Sequence, residues 1–397
     1  VNDEEALEYH ERLGGKIEIK SKARITDSAE LSLAYTPGVS APCKAIASEP
    51  EAVGRYTARN NMVAIVTDGS AVLGLGNIGP RASLPVMEGK SVLFKEFADI
   101  NGYPLALDTQ NPERLVNTIK LLEPTFAGIN LEDIGSPHCF EVEDKLERAL
   151  NVPVFHDDQH GTAVAVLAGL LNALELIGKD LSRAKVVVNG AGAAGIAISK
   201  LLLETGARDV IACDKIGVLH PDEKGLNKPQ TQLAESINRE GIRGNLNQAL
   251  SGADAFVGVS AAGALPPEYV ENMADDPIIF ALANPKPEIS REKAFAAGGK
   301  IVATGRSDHG NQINNLLVFP GIFRGALDVK AKKINSEMKI AAARAISDLV
   351  AEEQLDEEYI VPDPFEPELV SKVAEAVSAA AVDSGVAEPE LKRKREA

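Results

Sequence analysis

The chain has 397 residues, 45% of them hydrophobic and 25% charged. That length holds two or three domains with substantial cores, and the balance is that of a folded protein rather than a disordered one. Acids outnumber bases by 58 to 41, a formal charge of −17, which disfavours nucleic acid and anionic membranes as partners.

Cys43, Cys139 and Cys213 show neither CxxC nor zinc-finger spacing, and three cysteines cannot all pair. A reduced, cytoplasmic setting is therefore expected. No apolar run reaches about 18 residues, so no membrane span is expected. The first 30 residues, with DEEALEYHER near the start, lack the apolar centre of a signal peptide.

In chain order, residues 1–12 read as a short polar helix and 26–60 as helical pieces broken at Pro37, Pro42 and Pro50. MVAIVT at 62–67 reads as a buried strand. Between 85 and 155, SVLFKEFA, PLALDT, FAGINLEDI and VPVFHDD read as strands or strand ends, and PERLVNTIKLL and EVEDKLERALN as helices. This alternation predicts a parallel α/β sheet. Residues 161–177 form a long helix with few polar positions, predicted to be buried on most sides. The polar GKDLSRA after it is a candidate connector. KVVV, IAISKLLLETG and VIAC then read strand, helix, strand, with further strands at AFVGVS, IIFALAN and IVATG. Amphipathic helices are predicted at 336–354 and 367–381, and ELKRKREA is a solvated charged tail.

GxGxxG occurs twice, at Gly74-Leu75-Gly76-Asn77-Ile78-Gly79 and at Gly190-Ala191-Gly192-Ala193-Ala194-Gly195. The second follows a strand, opens a helix, and is followed by a strand ending in Asp214, 24 residues after Gly190. In that setting Gly190 allows a tight turn, Gly192 lets a pyrophosphate approach, and Gly195 lets helix pack on strand. The helix N-terminus favours the anion, and Asp214 accepts from ribose hydroxyls. The first match is followed by Pro80 and Pro85 and no clean βαβ unit, so it reads as a Gly-rich loop that lines a site rather than a cofactor turn.

Glu132 and Asp133 end one expected strand, and Asp158 ends another. Ligands of parallel α/β sheets bind outside the carboxyl ends of strands, so these acids can converge into a hard oxygen site suited to Mg²⁺ or Mn²⁺. Taken singly, each acid reads as a surface charge or a helix cap; Asp157 or Asp158 is placed to cap the long helix. A zinc site on His156 and His160 requires both on one helix, and the helix is expected to begin only near Gly161.

Together the residues resemble the malic enzyme family in its short prokaryotic form. The resemblance runs through Ala34-Tyr35-Thr36-Pro37-Gly38-Val39, Val66-Thr67-Asp68-Gly69-Ser70, Gly74-Leu75-Gly76, Glu88-Gly89-Lys90 and Leu131-Glu132-Asp133. It continues through Asp157-Asp158-Gln159-His160-Gly161-Thr162, Asn189-Gly190-Ala191-Gly192, Ala283-Asn284-Pro285, and Asn314-Asn315 ahead of Phe319-Pro320-Gly321.

The resemblance implies an α/β fold: an N-terminal substrate domain over 1–160, a Rossmann-type NAD(P) domain over 161–335, and C-terminal helices over 336–397 packing back. It implies oxidative decarboxylation of L-malate to pyruvate and CO₂ through oxaloacetate, with Mg²⁺ or Mn²⁺ and NAD or NADP. It implies Lys90 as general base, Tyr35 as general acid, Asp157 as a proton relay or a support behind the metal ligands, and Glu132, Asp133 and Asp158 as metal ligands. Asn284 and Asn315 hold the substrate carboxylate, with Asn314 able to exchange with Asn315. Cation and burial are expected to lower the Lys90 pKa. The Gly69–Leu73 segment lacks an arginine that large-subunit relatives carry there, and Arg81 is a candidate replacement. No phosphotransacetylase-like extension is expected, and so no regulation through one. Asp214 argues for NAD, Lys215 beside it for a 2′-phosphate, and the balance favours NAD. A homodimer is implied, with Tyr35 near the partner. Two other readings stand beside this one: a metal-independent two-domain amino-acid dehydrogenase, and a non-catalytic NAD-binding sensor.

Overall fold

The computed structural model describes residues 2–72, 74–306 and 310–388; the charged tail expected at 390–397 lies outside them. Four helices come first: α1 (Asp3–Leu13), α2 (Ser28–Ala34), α3 (Ser40–Ser48) and α4 (Val53–Tyr56), none with a buried residue. Pro42, expected as a break, lies within the first turn of α3, where proline withholds no helical hydrogen bond.

A parallel sheet follows, built from β1 (Met62–Thr67), α5 (Pro80–Ala98), β2 (Asn101–Ala106), α6 (Pro112–Leu122), β3 (Gly128–Leu131), α7 (His138–Ala149) and β4 (Val154–His156). Its strand order is β2-β1-β3-β4. SVLFKEFA, expected as a strand, is the second half of α5. The buried residues of α5 (Ser83, Met87, Lys90, Ser91, Phe94 and Ala98) recur at helical steps. An eight-residue apolar run is too short to separate the two periods.

The first glycine match therefore does sit in a βαβ unit, because it joins β1 to α5 and β1 pairs in parallel with β2. Pro80 opens the helix, where its missing N–H costs nothing, and Pro85 removes a single ladder bond.

From β4 the chain turns directly into α8 (Asp157–Leu176), which buries 14 of its residues. The second sheet comprises β5 (Lys185–Asn189), α9 (Ala193–Glu204), β6 (Asp209–Asp214), β7 (Gly217–Val218), α10 (Lys228–Ala234), α11 (Leu246–Leu250), β8 (Ala255–Gly258), α12 (Pro267–Val270), β9 (Ile278–Ala281), α13 (Arg291–Ala296) and β10 (Ile301–Thr304). Its order is β10-β9-β8-β5-β6-β7, parallel except for the antiparallel β7. The order reverses between β5 and β8, which opens the crevice used by dinucleotides in doubly wound sheets.

Helices α14 (Phe319–Asp328), α15 (Ser336–Ser347) and α16 (Leu369–Asp383) return to the core. Phe319 and Phe323 of α14 meet Phe94 of α5 edge-on, with centroids 4.8 and 5.2 Å apart. Asn172, buried in α8, donates to the carbonyls of Ser347 and Ile360. That ties the returning segment to the central helix. Helix α15 stops seven residues short of its expected end.

Candidate active site

Three neighbouring strands of the first sheet direct their carboxyl ends at one point. Glu132 and Asp133 follow β3, Asp157 and Asp158 open α8 after β4, and Asp68 follows β1. Glu132, Asp133 and Asp158 each bring a carboxylate oxygen within 4.8 Å of the others. Asp133 occupies the left-handed region, with φ of 55°. Its N–H donates to Asp158 Oδ2 at 2.8 Å, fixing the two strand ends against each other.

Helix α8 begins at Asp157 rather than near Gly161. His156 is its N-cap residue and no side chain caps it. Asp157 and Asp158 thus occupy the first turn, where the helix dipole favours negative charge, and neither is the cap expected of them.

Lys90 enters from α5 with only 7% of its surface exposed. Its ammonium contacts Asp157 Oδ2, lies 3.1 Å from Glu132 Oε2, and stands 4.0 Å over the Phe319 ring. Burial lowers its pKa, but the charges of Asp157 and Glu132 outweigh burial and hold it above the ordinary lysine range. Burial acts in the direction of the expected fall, and the two anions at contact distance oppose it. Burial pushes the carboxylates the other way: Glu132 and Asp157 rise to about 7 and Asp158 to about 6.

This donor set fits a hard divalent cation. Asp157 Oδ1 and Asn130 Oδ1 are buried without a hydrogen-bond partner, and the oxygens gathered here need a positive charge to be stable together. The zinc alternative loses its premise, because His156 ends β4 and only His160 lies on α8, where its Nε2 is 3.0 Å from Glu143 Oε2.

The first glycine loop closes over this cluster. Ala71 N–H donates to the Asp133 carbonyl and Gly135 N–H to Ser70 Oγ. A Cβ on Gly74 would stand 2.3 Å from the Asn284 carbonyl oxygen, so the loop lies directly on the segment after β9. On the other side, a Cβ on Gly161 would stand 1.9 Å from Asp157 Oδ1 and 2.9 Å from Asn315 Cβ.

The second glycine loop has a different shape. Gly190 has φ of 115°, and a Cβ there would lie 2.6 Å from the Val259 carbonyl oxygen. A Cβ on Gly195 would collide with the Gly190 carbonyl at 1.7 Å. A Cβ on Gly192 would meet nothing within 4 Å apart from its chain neighbours. Helix α9 starts at Ala193 without a side-chain cap, so the amides of Ala193, Ala194 and Gly195 are left for a ligand. Open space at an uncapped helix N-terminus fits a pyrophosphate. Asp214 stands at the end of β6, and Lys215 is exposed on the turn into β7.

A family model for the malic enzyme N-terminal domain matches residues 14–147, and one for the malic enzyme NAD binding domain matches 159–382. The chain belongs to the malic enzyme family. It is 55% identical to the bifunctional malic/malolactic enzyme of Bacillus subtilis over 97% of this chain and 94% of that one. It is 52% identical to the NAD-dependent malic enzyme of Geobacillus stearothermophilus, over 94% and 78%. The crystal structure of the NAD-dependent malic enzyme from Thermotoga maritima superposes with a TM-score of 0.91 at 49% identity, covering 94% of this chain and 98% of that one. The malic enzyme from Pyrococcus horikoshii gives 0.92 at 46%, over 97% and 92%.

Within this malic enzyme fold the expected residues are not all gathered. Lys90, Asp157, Glu132, Asp133 and Asp158 converge, and Asn315 abuts the first turn of α8. Asn314 instead caps the 3₁₀ turn Asn315–Leu317, its Oδ1 accepting from Leu316 N–H at 2.9 Å. Asn284 is exposed beneath the Gly74 loop. Tyr35 is 68% exposed on the N-terminal segment, and among the described residues its side chain makes no hydrogen bond. Arg81 lines a cavity of about 410 Å³ with Leu84 and Asp108, none of which belongs to the carboxylate cluster.

Two buried acids escaped the sequence reading. Glu143 of α7 accepts from His156 N–H at 2.8 Å and from Gln159 Nε2 at 2.9 Å, which pins the start of α8. Glu288 is fully buried and accepts from the N–H groups of Ser260 and Ala283, joining the loops after β8 and β9. Neither carries a sequence signal, because each lies in a stretch of ordinary charged residues.

Proposed function

We propose that this chain oxidises L-malate at C2 and releases its C4 carboxylate as CO₂, leaving pyruvate. The observation that carries the reading is a buried lysine in contact with Asp157 and Glu132, beside three converging carboxylates and under a loop packed on Asn284. Glu132, Asp133 and Asp158 would hold Mg²⁺ or Mn²⁺. The cation supplies Lewis acidity and NAD(P) accepts the hydride.

Lys90, whose positive charge a cation on those three carboxylates would oppose, takes the C2 hydroxyl proton in its neutral form as hydride departs, giving oxaloacetate, with Asp157 in contact to relay the proton. Asn284 and Asn315 hold the carboxylate that stays. Loss of CO₂ leaves the enolate of pyruvate, and Tyr35 protonates it at C3. Purified protein with Mn²⁺, malate and NAD or NADP is expected to make pyruvate and NAD(P)H in equal amounts and to stop on adding chelator. Lys90→Ala should lower kcat by about 10²–10⁴-fold while NADH still binds, as read by nucleotide fluorescence. Absence of pyruvate with either nucleotide sinks the reading.

Asp214 favours NAD over NADP. The division of the chain is substrate domain 1–160, nucleotide domain 161–335 and returning helices 336–397. Among the described residues no helix is long and apolar enough to cross a membrane. All three cysteines are free, which supports a cytoplasmic setting. The assembly is a homodimer through the N-terminal segment, where Leu7, Ile19 and Leu33 are largely exposed among the described residues.

A further inference from the structure

We propose that Gln230 sets the nucleotide preference, by clamping the carboxylate that meets the adenosine ribose to the turn that meets the pyrophosphate. The proposal rests on Asp214 being the ribose acceptor. Gln230 lies in the first turn of α10 and is buried. Its Nε2 donates to Asp214 Oδ2 at 2.6 Å and to the Ala191 carbonyl at 3.1 Å. Its Oε1 accepts from Asn227 N–H at 3.0 Å. Both protons of the amide and its oxygen are thereby in use. One side chain joins three segments: the glycine turn, the end of β6, and the start of α10.

The clamp decides what Asp214 can do. Its Oδ1 accepts from Lys215 N–H at 2.7 Å, so both oxygens are tethered and the carboxylate is held in one orientation. Each oxygen keeps an acceptor site for a hydroxyl. Ribose 2′- and 3′-hydroxyls can donate there, whereas a 2′-phosphate offers only acceptors to an anion that cannot swing away. Freed of the clamp, Asp214 can rotate toward the exposed Lys215, and the penalty against a phosphate falls.

Only glutamine satisfies this arrangement among residues of its shape. Glutamate removes both donors and sets a second anion against Asp214. Lysine replaces the neutral donor by a cation, which neutralises Asp214 and attracts a phosphate. Methionine keeps the length and removes the hydrogen bonds.

The test titrates the purified enzyme with NADH and NADPH by fluorescence, with kcat/KM for NAD and NADP in parallel. Native protein is expected to prefer NADH. Gln230→Met and Gln230→Glu should weaken NADH binding by about tenfold or more, the size of a lost charge-assisted hydrogen bond. Gln230→Lys should move the NADH-to-NADPH ratio toward NADPH by at least as much. The ratio separates a specificity role from general damage, because a misfolded variant loses both nucleotides together. Asp214→Ala separates the two layers of the argument. If it leaves the ratio unchanged, the reading of Asp214 fails. If it moves the ratio while all three Gln230 variants leave it unchanged, the clamp alone is overturned.

Discussion

At Gly161 the site has no spare volume. The residue lies one turn after Asp157 on α8, and any Cβ would overlap Asp157 Oδ1. Gly161→Ala therefore pushes the carboxylate away from Lys90 or lifts the first turn that also carries Asp158. Displacing a reacting group by about 1 Å can cost about 10²-fold in rate, so kcat is expected to fall by that order. The melting temperature should drop only modestly, because one added methyl overpacks by about 1–3 kcal/mol. Steady-state kinetics beside a thermal melt checks this, and a Gly161→Ala enzyme with native kcat would remove the steric argument. The sequence marks Asp157 well and Gly161 poorly. Read as the start of the helix, Gly161 has no neighbour one turn earlier. Once α8 begins at Asp157, the i, i+4 relation places it under the carboxylate. Lys90 is the opposite case. Its charge and spacing say nothing, and the motif around Glu88-Gly89-Lys90 singles it out.

Helix α8 needs an anchor, because no side chain caps its first turn and two carboxylates sit in it. Glu143 of α7 provides that anchor through the His156 amide, Gln159 and His160. Burial opposes its charge, yet the fields of His160, Lys339 and His156 overcome burial and hold its pKa down at about 2. A carboxylate depressed on folding stabilises the native state above its unfolded pKa, and that stabilisation disappears as pH falls through the folded value. The window here runs from about 4.5 down to about 2. Glu143→Gln should destabilise the protein at pH 7. The gap between variant and native protein should narrow as urea unfolding is repeated at lower pH within that window. A constant gap would mean that the charge is not what anchors α8. Elements of this kind are only half legible in a sequence. The helix over EVEDKLERALN is readable from its pattern, but which of its acids turns inward depends on α8 packing beside it. The βαβ unit around Pro80 and Pro85 is hidden for a related reason: proline ordinarily ends a helix, yet Pro80 suits the first turn of α5 and Pro85 costs its interior a single ladder bond.

At the scale of the molecule, two properties remain unbalanced within one chain. A net charge of −17 must admit a dianionic substrate, and a cation held by Glu132, Asp133 and Asp158 beside Lys90 would offset most of the local negative charge. The first four helices bury nothing, and Ile19 and Leu33 are 85% and 77% exposed. An apolar surface of that extent calls for a cover, and a second copy of the chain is the cover proposed. Tyr35 lies on this segment, far more exposed than a residue that protonates a sequestered enolate should be. If the partner's cleft receives it, each site takes Lys90 from one subunit and Tyr35 from the other. Tyr35→Phe and Lys90→Ala enzymes, each inactive alone, should then complement when subunits are exchanged. A hybrid dimer holds one site with both native residues and one with neither. Equal mixing should therefore restore about a quarter of native activity, since half the dimers are hybrids with one working site. Tyrosine and lysine from the same chain would instead leave both hybrid sites defective. A mixture that stays inactive, with hybrids verified by differential tagging, would return Tyr35 to its own subunit and require the N-terminal segment to fold inward.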